Sequence, residues 1–405
     1  MSLKPDAVAR HGRLKKAGPL GSILKFLAIA VSVALVSALG VAGVAAWQIN
    51  DNITGGPPIR IPGKIPVPPT VGAYPGGFNI LIVGSDTRVG QGGIGGTADT
   101  SILNDVTMLL HVSGDHTSAT AVSFPRDMIV PIPACAIGGP ASGLPINTAL
   151  YYGGSNTKSP GKGLPCVVST VEKLTGLTIQ FAGLITFKGV IEVTNAVGGV
   201  PVCVSGNIND KEVGLHLKSG THTISGDTAL KFLRSRHGVG DGSDLGRINS
   251  QQVYLSSLVR TLKSSDTLSN VSTLYKLAIA ATKNMQLSEG FNRIDTLLAI
   301  AQALKSIPLD QVLFVQYPGS TAGTGIYQDK VQPNYALGNQ LFALIKADKP
   351  FRLGVTNNIG STTNPHAPKP TSTPKATSKP SNLPVITGIP GQPSSAYTCS
   401  KAFKG

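Results

Sequence analysis

The order of apolar and polar positions divides the chain into segments of different kinds. Residues 26–47, FLAIAVSVALVSALGVAGVAAW, are a run of 22 residues without a charge. As a helix rising about 1.5 Å per residue it would reach roughly 33 Å, enough for a hydrocarbon core of about 30 Å. The apolar region of a cleavable signal peptide is shorter, about 7–15 residues, and ends in a small-x-small site. This run ends at Trp47-Gln48 instead, so an uncleaved transmembrane anchor is expected.

After residue 77 the pattern changes to short units. FNILIVGS (78–85) is an apolar run ending in Gly-Ser, the mark of a buried strand delivering a loop. DVTMLLHVS and SATAVSFP flank GDHT and predict a hairpin. CVVSTVEKLTG predicts a helix stopping at Gly176, IQFAGLI a strand, TFKGVIEVTNAVGG an amphipathic helix, and VPVCVS another strand. SGDTALKFLRSR reads as a helix capped at Ser225 or Asp227. SDLGRINSQQVYLSSLVRTLKS follows as a long helix with Ile248, Leu255, Val259 and Leu262 on one apolar face, and Asp244 available to cap it. A further helix is expected over about Ser288–Lys305, then a strand at DQVLFVQYP and a helix at NYALGNQLFALIKAD. Alternating helices and strands predict an α/β fold, an α-β-α sandwich with a central mixed sheet, preceded by one transmembrane helix.

Composition refines the boundaries. The expected order is a basic cytoplasmic segment (1–25), the anchor (26–47), a Pro/Gly-rich linker (48–76), a folded domain (77–350) and a Pro/Ser/Thr/Lys-rich, mostly disordered tail (351–405). The net charge of +15 sits in the ends: residues 1–25 carry +5, 51–69 carry +1, and the chain after Asp348 carries +7, leaving +2 for the middle. A nearly neutral body offers no basic stripe, so no nucleic-acid partner is expected. The basic flank places the N-terminus in the cytoplasm and the rest outside a single-pass plasma-membrane anchor. Four cysteines without a CxxC pair suggest disulfides in an exported domain. Cys135–Cys166 would close a Gly/Pro-rich loop, and Cys203–Cys399 would tie the tail back.

The chain has no GxSxG, HExxH or P-loop motif, and its seven histidines are scattered. Its polar groups concentrate at the ends of apolar strands: GSDTR (84–88), NDVT (104–107), PRD (125–127), RSRH (234–237) and DLGRINSQ (244–251). Loops at strand ends are held convergent by a rigid sheet. These runs supply five arginines, whose planar forks pair with phosphate oxygens, and aspartates suited to a hard cation such as Mg²⁺. Together they are the groups expected around a pyrophosphate. Structural ion pairs at loop ends are the plain alternative.

NILIVGSDTR, NDVTMLLHVS, AVSFPRDM, INTALYYGG, TVEKLTG, FKGVIEVTNAVGGVPVCV and GTHTISGDTALKFLRSRHGVGDGSDLGRINSQQ, in order over residues 77–263, resemble the LytR-CpsA-Psr family of bacterial cell-envelope proteins, actinobacterial type. The resemblance implies a Mg²⁺-dependent phosphotransferase. It would move a glycopolymer from a polyprenyl-pyrophosphate carrier to a peptidoglycan hydroxyl, leaving a phosphodiester link in the cell wall. It further implies Asp86 and Asp105 as metal ligands. Arg88, Arg126, Arg234, Arg236 and Arg247 would be catalytic and pyrophosphate-binding, with Asp105 acting beside them and Gln251 lining the same pocket. Asp244 would stand behind them or assist the metal, and an apolar tunnel would hold the prenyl chain. Leu103 and Pro145 depart from the family, since many members carry a basic residue at each place. Those two positions favour the alternative of a non-catalytic envelope protein that binds polyprenyl-phosphate lipid or wall polymer.

Overall fold

The computed structural model describes residues 58–63 and 73–403, apart from 89–90, 92, 95–101, 265–276, 278, 281, 355–358 and 368–382. The apolar run 26–47 lies outside them. Among the described residues no helix is long and apolar enough to cross a membrane.

Strands β1 (Phe78–Ser85), β2 (Asn104–Val112) and β3 (Ala119–Phe124) form a meander. Then come α1 (Leu164–Thr175), β4 (Phe181–Ile185), α2 (Phe187–Val197), β5 (Val200–Ser205) and β6 (Gly220–Ile224). The chain continues through α3 (Gly226–Arg234), α4 (Asp244–Ser264), β7 (Met285–Leu287), α5 (Ile294–Ser306) and β8 (Val312–Gln316). It ends with α6 (Tyr335–Lys346), β9 (Ser361–Thr363), β10 (Gly391–Pro393) and β11 (Thr398–Lys401).

The main sheet has the order β7-β4-β1-β2-β3-β8-β10. It is mixed: β1 is antiparallel to β2 but parallel to β4, and β3 is parallel to β8. The two faces of β1 show why three layers form. Leu81 and Val83 point into a cluster with Val167 and Val171 of α1 and Leu341 and Phe342 of α6. Phe78 and Ile80 point the other way, against Ala299, Ile300 and Ala303 of α5. Strands buried on both faces cannot show the alternation of a half-exposed strand, which is why FNILIVGS reads as a continuous apolar run. A second sheet, β6-β5-β11-β9, packs through Val200, Val202 and Val204 on α3 and α4.

Local signals explain the helix ends. Thr186 caps α2 by accepting from the Gly189 N–H at 3.2 Å, and Asn334 caps α6 by accepting from Leu337 at 3.1 Å. Gly176 ends α1 at φ 68°, a left-handed conformation that glycine adopts without a Cβ clash.

Four expectations are corrected. The helix expected from Ser288 starts at Ile294, because Met285–Leu287 pairs antiparallel with the edge of β4. The Ser288 N–H then donates to the Ala182 carbonyl and the Ser288 hydroxyl accepts from the Ala182 N–H, which holds the chain extended. The linker 48–76 is not a bare spacer in its described parts: Ile59 is hydrogen-bonded to Leu287 and Glu289, and Tyr74 stacks edge-on against Phe78 and Phe181. The tail 351–405 is not mostly disordered, since it supplies β9, β10 and β11. Strand β11 runs parallel to β5, and their paired residues Cys399 and Cys203 are joined as a disulfide. Cys135 and Cys166 form the other bridge. Finally, Asp244 does not cap α4. Ser243 takes that place, accepting from the Gly246 N–H, and frees Asp244 for the site.

Candidate active site

A cavity of about 440 Å³ opens between the main sheet, α2, α3 and α4. One side of it is apolar, built by Ile82 and Met108 of the sheet, Phe187 and Val190 of α2, and Leu230 and Leu255 of α3 and α4. The other is lined by Asp105, Arg126, Arg234, Arg236, Arg247 and Gln251. Sequence positions more than a hundred apart thus converge at one end of one cavity.

Asp105 reaches the cavity through an irregularity in the β1–β2 ladder. Gly84 pairs with Val106 but Ser85 pairs with Asn104, so Asp105 is the extra residue of a bulge. Bulges re-aim a side chain out of strand alternation, and here the carboxylate turns toward Arg126. Both its oxygens accept from Arg126 Nη1 at 3.1 Å.

Arg126 follows β3 and is held from two sides. Its backbone N–H donates to Asp244 Oδ2 at 2.9 Å, and its Nε lies 3.7 Å from both Asp127 and Asp244. Burial opposes the charge of Arg126, but the carboxylates of Asp105, Asp127 and Asp244 outweigh it and hold the guanidinium above its ordinary value. Asp244, on the first turn of α4, is 3% exposed and also lies 2.5 Å from Arg247 Nη2. Arg247 donates to the Asp105 carbonyl at 3.0 Å, while its buried Nε has no hydrogen-bond partner among the described residues.

Arg234 and Arg236 sit in a different environment. Arg234 ends α3 and stacks on the Phe187 ring at 4.3 Å, where the apolar and charged sides meet. Burial pushes its guanidinium below the ordinary value and the charge of Arg88 pushes the same way. Asp105, Asp86 and Asp227 offset this only in part. An anion arriving here would relieve a real electrostatic cost. Arg236 donates to the Gly242 carbonyl at 3.1 Å and lies 3.8 Å from Asp127. Gln251 lines the cavity, but its amide donates to the Leu233 carbonyl at 2.9 Å and so also secures the end of α3.

Asp86 and Arg88 follow β1 and are half-buried; neither is among the residues lining the cavity. Their charges are nevertheless felt at Arg234. Asp86 Oδ1 accepts from the Leu103 N–H at 2.8 Å, fixing its carboxylate beside the bulge. Among the described residues no three His, Cys, Asp or Glu side chains cluster tightly enough to hold a metal by themselves. Two carboxylates, Asp86 and Asp105, beside an arginine-lined cavity still fit the chemistry of Mg²⁺, which is usually bound through one or two carboxylates plus substrate phosphates and water.

Two features escape a reading of the sequence. The first is Asp210, 1% exposed in the short strand Ile208–Asp210. Its Oδ2 accepts from the Ser235 hydroxyl (2.7 Å), the Arg236 N–H (3.1 Å) and the Gly238 N–H (3.0 Å), while Oδ1 accepts from the Glu212 N–H (3.1 Å). The segment that carries two site arginines is thus pinned to one carboxylate. The second is the tail: Gly240 donates to the Lys401 carbonyl and Phe403 to the Gly238 carbonyl, each at 2.9 Å. Glycine is required where these meet, since a Cβ at Gly360 would lie 2.3 Å from the Gly246 carbonyl oxygen. An Asp five residues after a strand-like VS is too common a pattern to single out, and the tail's low hydrophobicity hides its pairing.

An α/β sandwich with arginines and carboxylates gathered at one side of an otherwise apolar cavity defines a protein suited to an amphiphile with an anionic head. Residues 62–343 match the LytR_cpsA_psr family, and the chain belongs to that family. It is 30% identical over 358 residues to the cell wall biosynthesis protein LcpA of Corynebacterium glutamicum, an alignment covering 81% of this chain and 66% of LcpA, just under two thirds. It is 27% identical to the polyisoprenyl-teichoic acid–peptidoglycan teichoic acid transferase TagU of Enterococcus faecalis, over 63% of this chain and 73% of TagU. The crystal structure of Bacillus subtilis TagV shares the fold, with a TM-score of 0.51 and 21% identity over 67% of this chain and 97% of TagV.

Proposed function

We propose that the protein is a phosphotransferase that moves a glycopolymer from a polyprenyl-pyrophosphate carrier to a peptidoglycan hydroxyl, acting outside the plasma membrane from a single N-terminal anchor. The observation that carries this is the two-sided cavity, with four arginines beside Asp105 at one side and an apolar wall at the other. The head group of a pyrophosphate lipid matches the arginines, and its prenyl chain matches the wall. Similarity to a transferase named for polyisoprenyl-linked teichoic acid and peptidoglycan supports the same reading.

In this mechanism Arg234 and Arg236 take the pyrophosphate oxygens, and Phe187 under Arg234 marks where the prenyl chain turns into the apolar side. Arg126 and Arg247, tied by Asp244, hold guanidinium N–H donors in fixed positions that need little reorganisation as charge builds on the leaving phosphate. Asp86 and Asp105 would hold Mg²⁺, which when bound supplies further neutralisation of that charge. Asp105 would then share its oxygens between metal and Arg126.

The test is a turnover assay with the full chain, a polyprenyl-pyrophosphate-linked disaccharide and uncrosslinked peptidoglycan, with and without Mg²⁺. Arg236→Ala is expected to lower transfer by about 10²-fold or more, the loss typical of a removed charge stabiliser. Its Tm should stay within a few degrees of wild type, because Arg236 is half-exposed. Undiminished transfer by Arg236→Ala would refute the assignment. The non-catalytic reading rests on Leu103 and Pro145, and lipid binding without turnover in the same assay would establish it.

A further inference from the structure

We propose that His237 is the group that takes the proton from the acceptor hydroxyl, an assignment that rests on the transferase reading above. The titratable side chains lining the cavity, arginines apart, are Asp105, Glu212 and His237. Asp105 has both oxygens engaged by Arg126 and is the residue suited to the metal. That leaves the two rim residues. His237 is exposed, and among the described residues no hydrogen bond or ion pair engages its imidazole.

Its backbone is held far more firmly than that of an ordinary exposed loop residue. The N–H groups on either side of it, of Arg236 and Gly238, both donate to Asp210 Oδ2 at 3.1 and 3.0 Å. The carbonyl of Gly238 is in turn held by Phe403. A free imidazole therefore projects from a pegged backbone, immediately beside an arginine of the charged end. The charged groups that line the same cavity are Arg234 and Arg236 from its own segment, Glu212 from the neighbouring hairpin, and Arg126, Asp105 and Arg247. An unprotonated imidazole nitrogen can accept a proton, which is the role of a general base. Asp210 is a positioning residue in this scheme.

The step balances. The acceptor hydroxyl oxygen forms a bond to the phosphorus that carries the glycan. The bond from that phosphorus to the bridging oxygen breaks, and polyprenyl phosphate leaves with the bridging oxygen and its electron pair. The hydroxyl proton passes to an imidazole nitrogen of His237, which later releases it to water.

The experiment measures transfer by the full chain with a polyprenyl-pyrophosphate-linked disaccharide, uncrosslinked peptidoglycan and Mg²⁺, for wild type, His237→Gln and His237→Ala. Both variants should keep the wild-type Tm and donor KM while kcat falls by about 10²-fold. Added imidazole should restore part of the rate to His237→Ala alone, which a merely structural role would not allow. Wild-type kcat in His237→Gln at every pH would overturn the proposal while leaving the transferase reading intact. A fall in kcat in Glu212→Gln, with the His237 variants at the wild-type rate, would move the role to Glu212. Absence of transfer by the wild-type chain would remove both readings together.

Discussion

Asp210 and Asp244 show how single buried carboxylates organise this site. Asp244 binds a backbone N–H and two guanidinium groups, so it fixes two arginines at once. Asp210 binds no arginine side chain, only backbone N–H groups and a hydroxyl, and so controls where Arg236 points. Burial pushes the Asp210 carboxyl up, but its hydrogen bonds from Ser235, Arg236, Gly238 and Glu212 prevail and hold it below the usual carboxylate value. A depressed carboxyl contributes stability that is complete above its unfolded value of about 3.9 and is lost as pH falls through the folded value. Urea unfolding of wild type and Asp210→Asn should therefore differ most near neutral pH and converge as the solution is acidified below about pH 4. A constant difference down to the lowest pH would show that Asp210 acts by shape alone. At this scale the residue types at the site were legible: arginines and aspartates at strand ends stand out in a chain that is only 14% charged. What could not be read was geometry set by distant parts, such as the bulge that aims Asp105 or a peg 25 residues before the loop it holds.

Among elements, those with a strong local signal matched their sequence: β1 spans the apolar run 78–85, and α4 begins within one residue of its expected start. The misreadings share a cause, which is that partners elsewhere override a weak local pattern. Met285–Leu287 becomes a strand because the edge of β4 is open to it. Helix α4 does not carry a simple apolar stripe: Asn249, Ser250, Gln251, Gln252 and Ser256 are buried beside Ile248 and Tyr254. Its polar side chains bind the tail and α3, through Asn249 to Gly360, Ser250 to Ser400 and Gln251 to Leu233. The tail strand β11 depends in turn on Cys203–Cys399, which closes a loop of 196 residues. Replacing both cysteines by serine should lower unfolding free energy by about 2–4 kcal/mol, as expected for losing the cross-link of a long loop. Because Lys401 and Phe403 hold the loop 238–240, amide exchange at Gly238 and Gly240 should accelerate more than exchange in β1. Equal acceleration throughout would mean that the disulfide serves the whole fold and not the arginine loop.

At the scale of the molecule, the distribution of charge and the shape of the cavity bear on the same question of where the reaction takes place. The body carries only +2, so nothing in its overall field would draw it to an anionic membrane surface. In the proposed reaction its positive charge would act locally, inside the cavity, on a head group already bound. In the proposed reaction, access to a lipid-borne substrate would then come from tethering, and the apolar run 26–47 behind a flank of +5 is the segment suited to that. A tether raises the local concentration of site and lipid without adding a single contact, which would suit a cavity proposed to hold its substrate mainly by one anionic head and one apolar chain. In the proposed topology the orientation would be set by the excess of Lys and Arg in residues 1–25, which resists translocation. An alkaline phosphatase joined after residue 60 should accordingly be active in cells, since that enzyme matures only outside the cytoplasm, where disulfides persist. The same fusion made after residue 25, without the apolar run, should be inactive. Changing the six basic residues of 1–25 to glutamine should lower the activity of the residue-60 fusion by letting part of the population insert the opposite way. An inactive residue-60 fusion would place the arginine cavity in the cytoplasm, away from peptidoglycan, and would remove the acceptor from the proposed reaction.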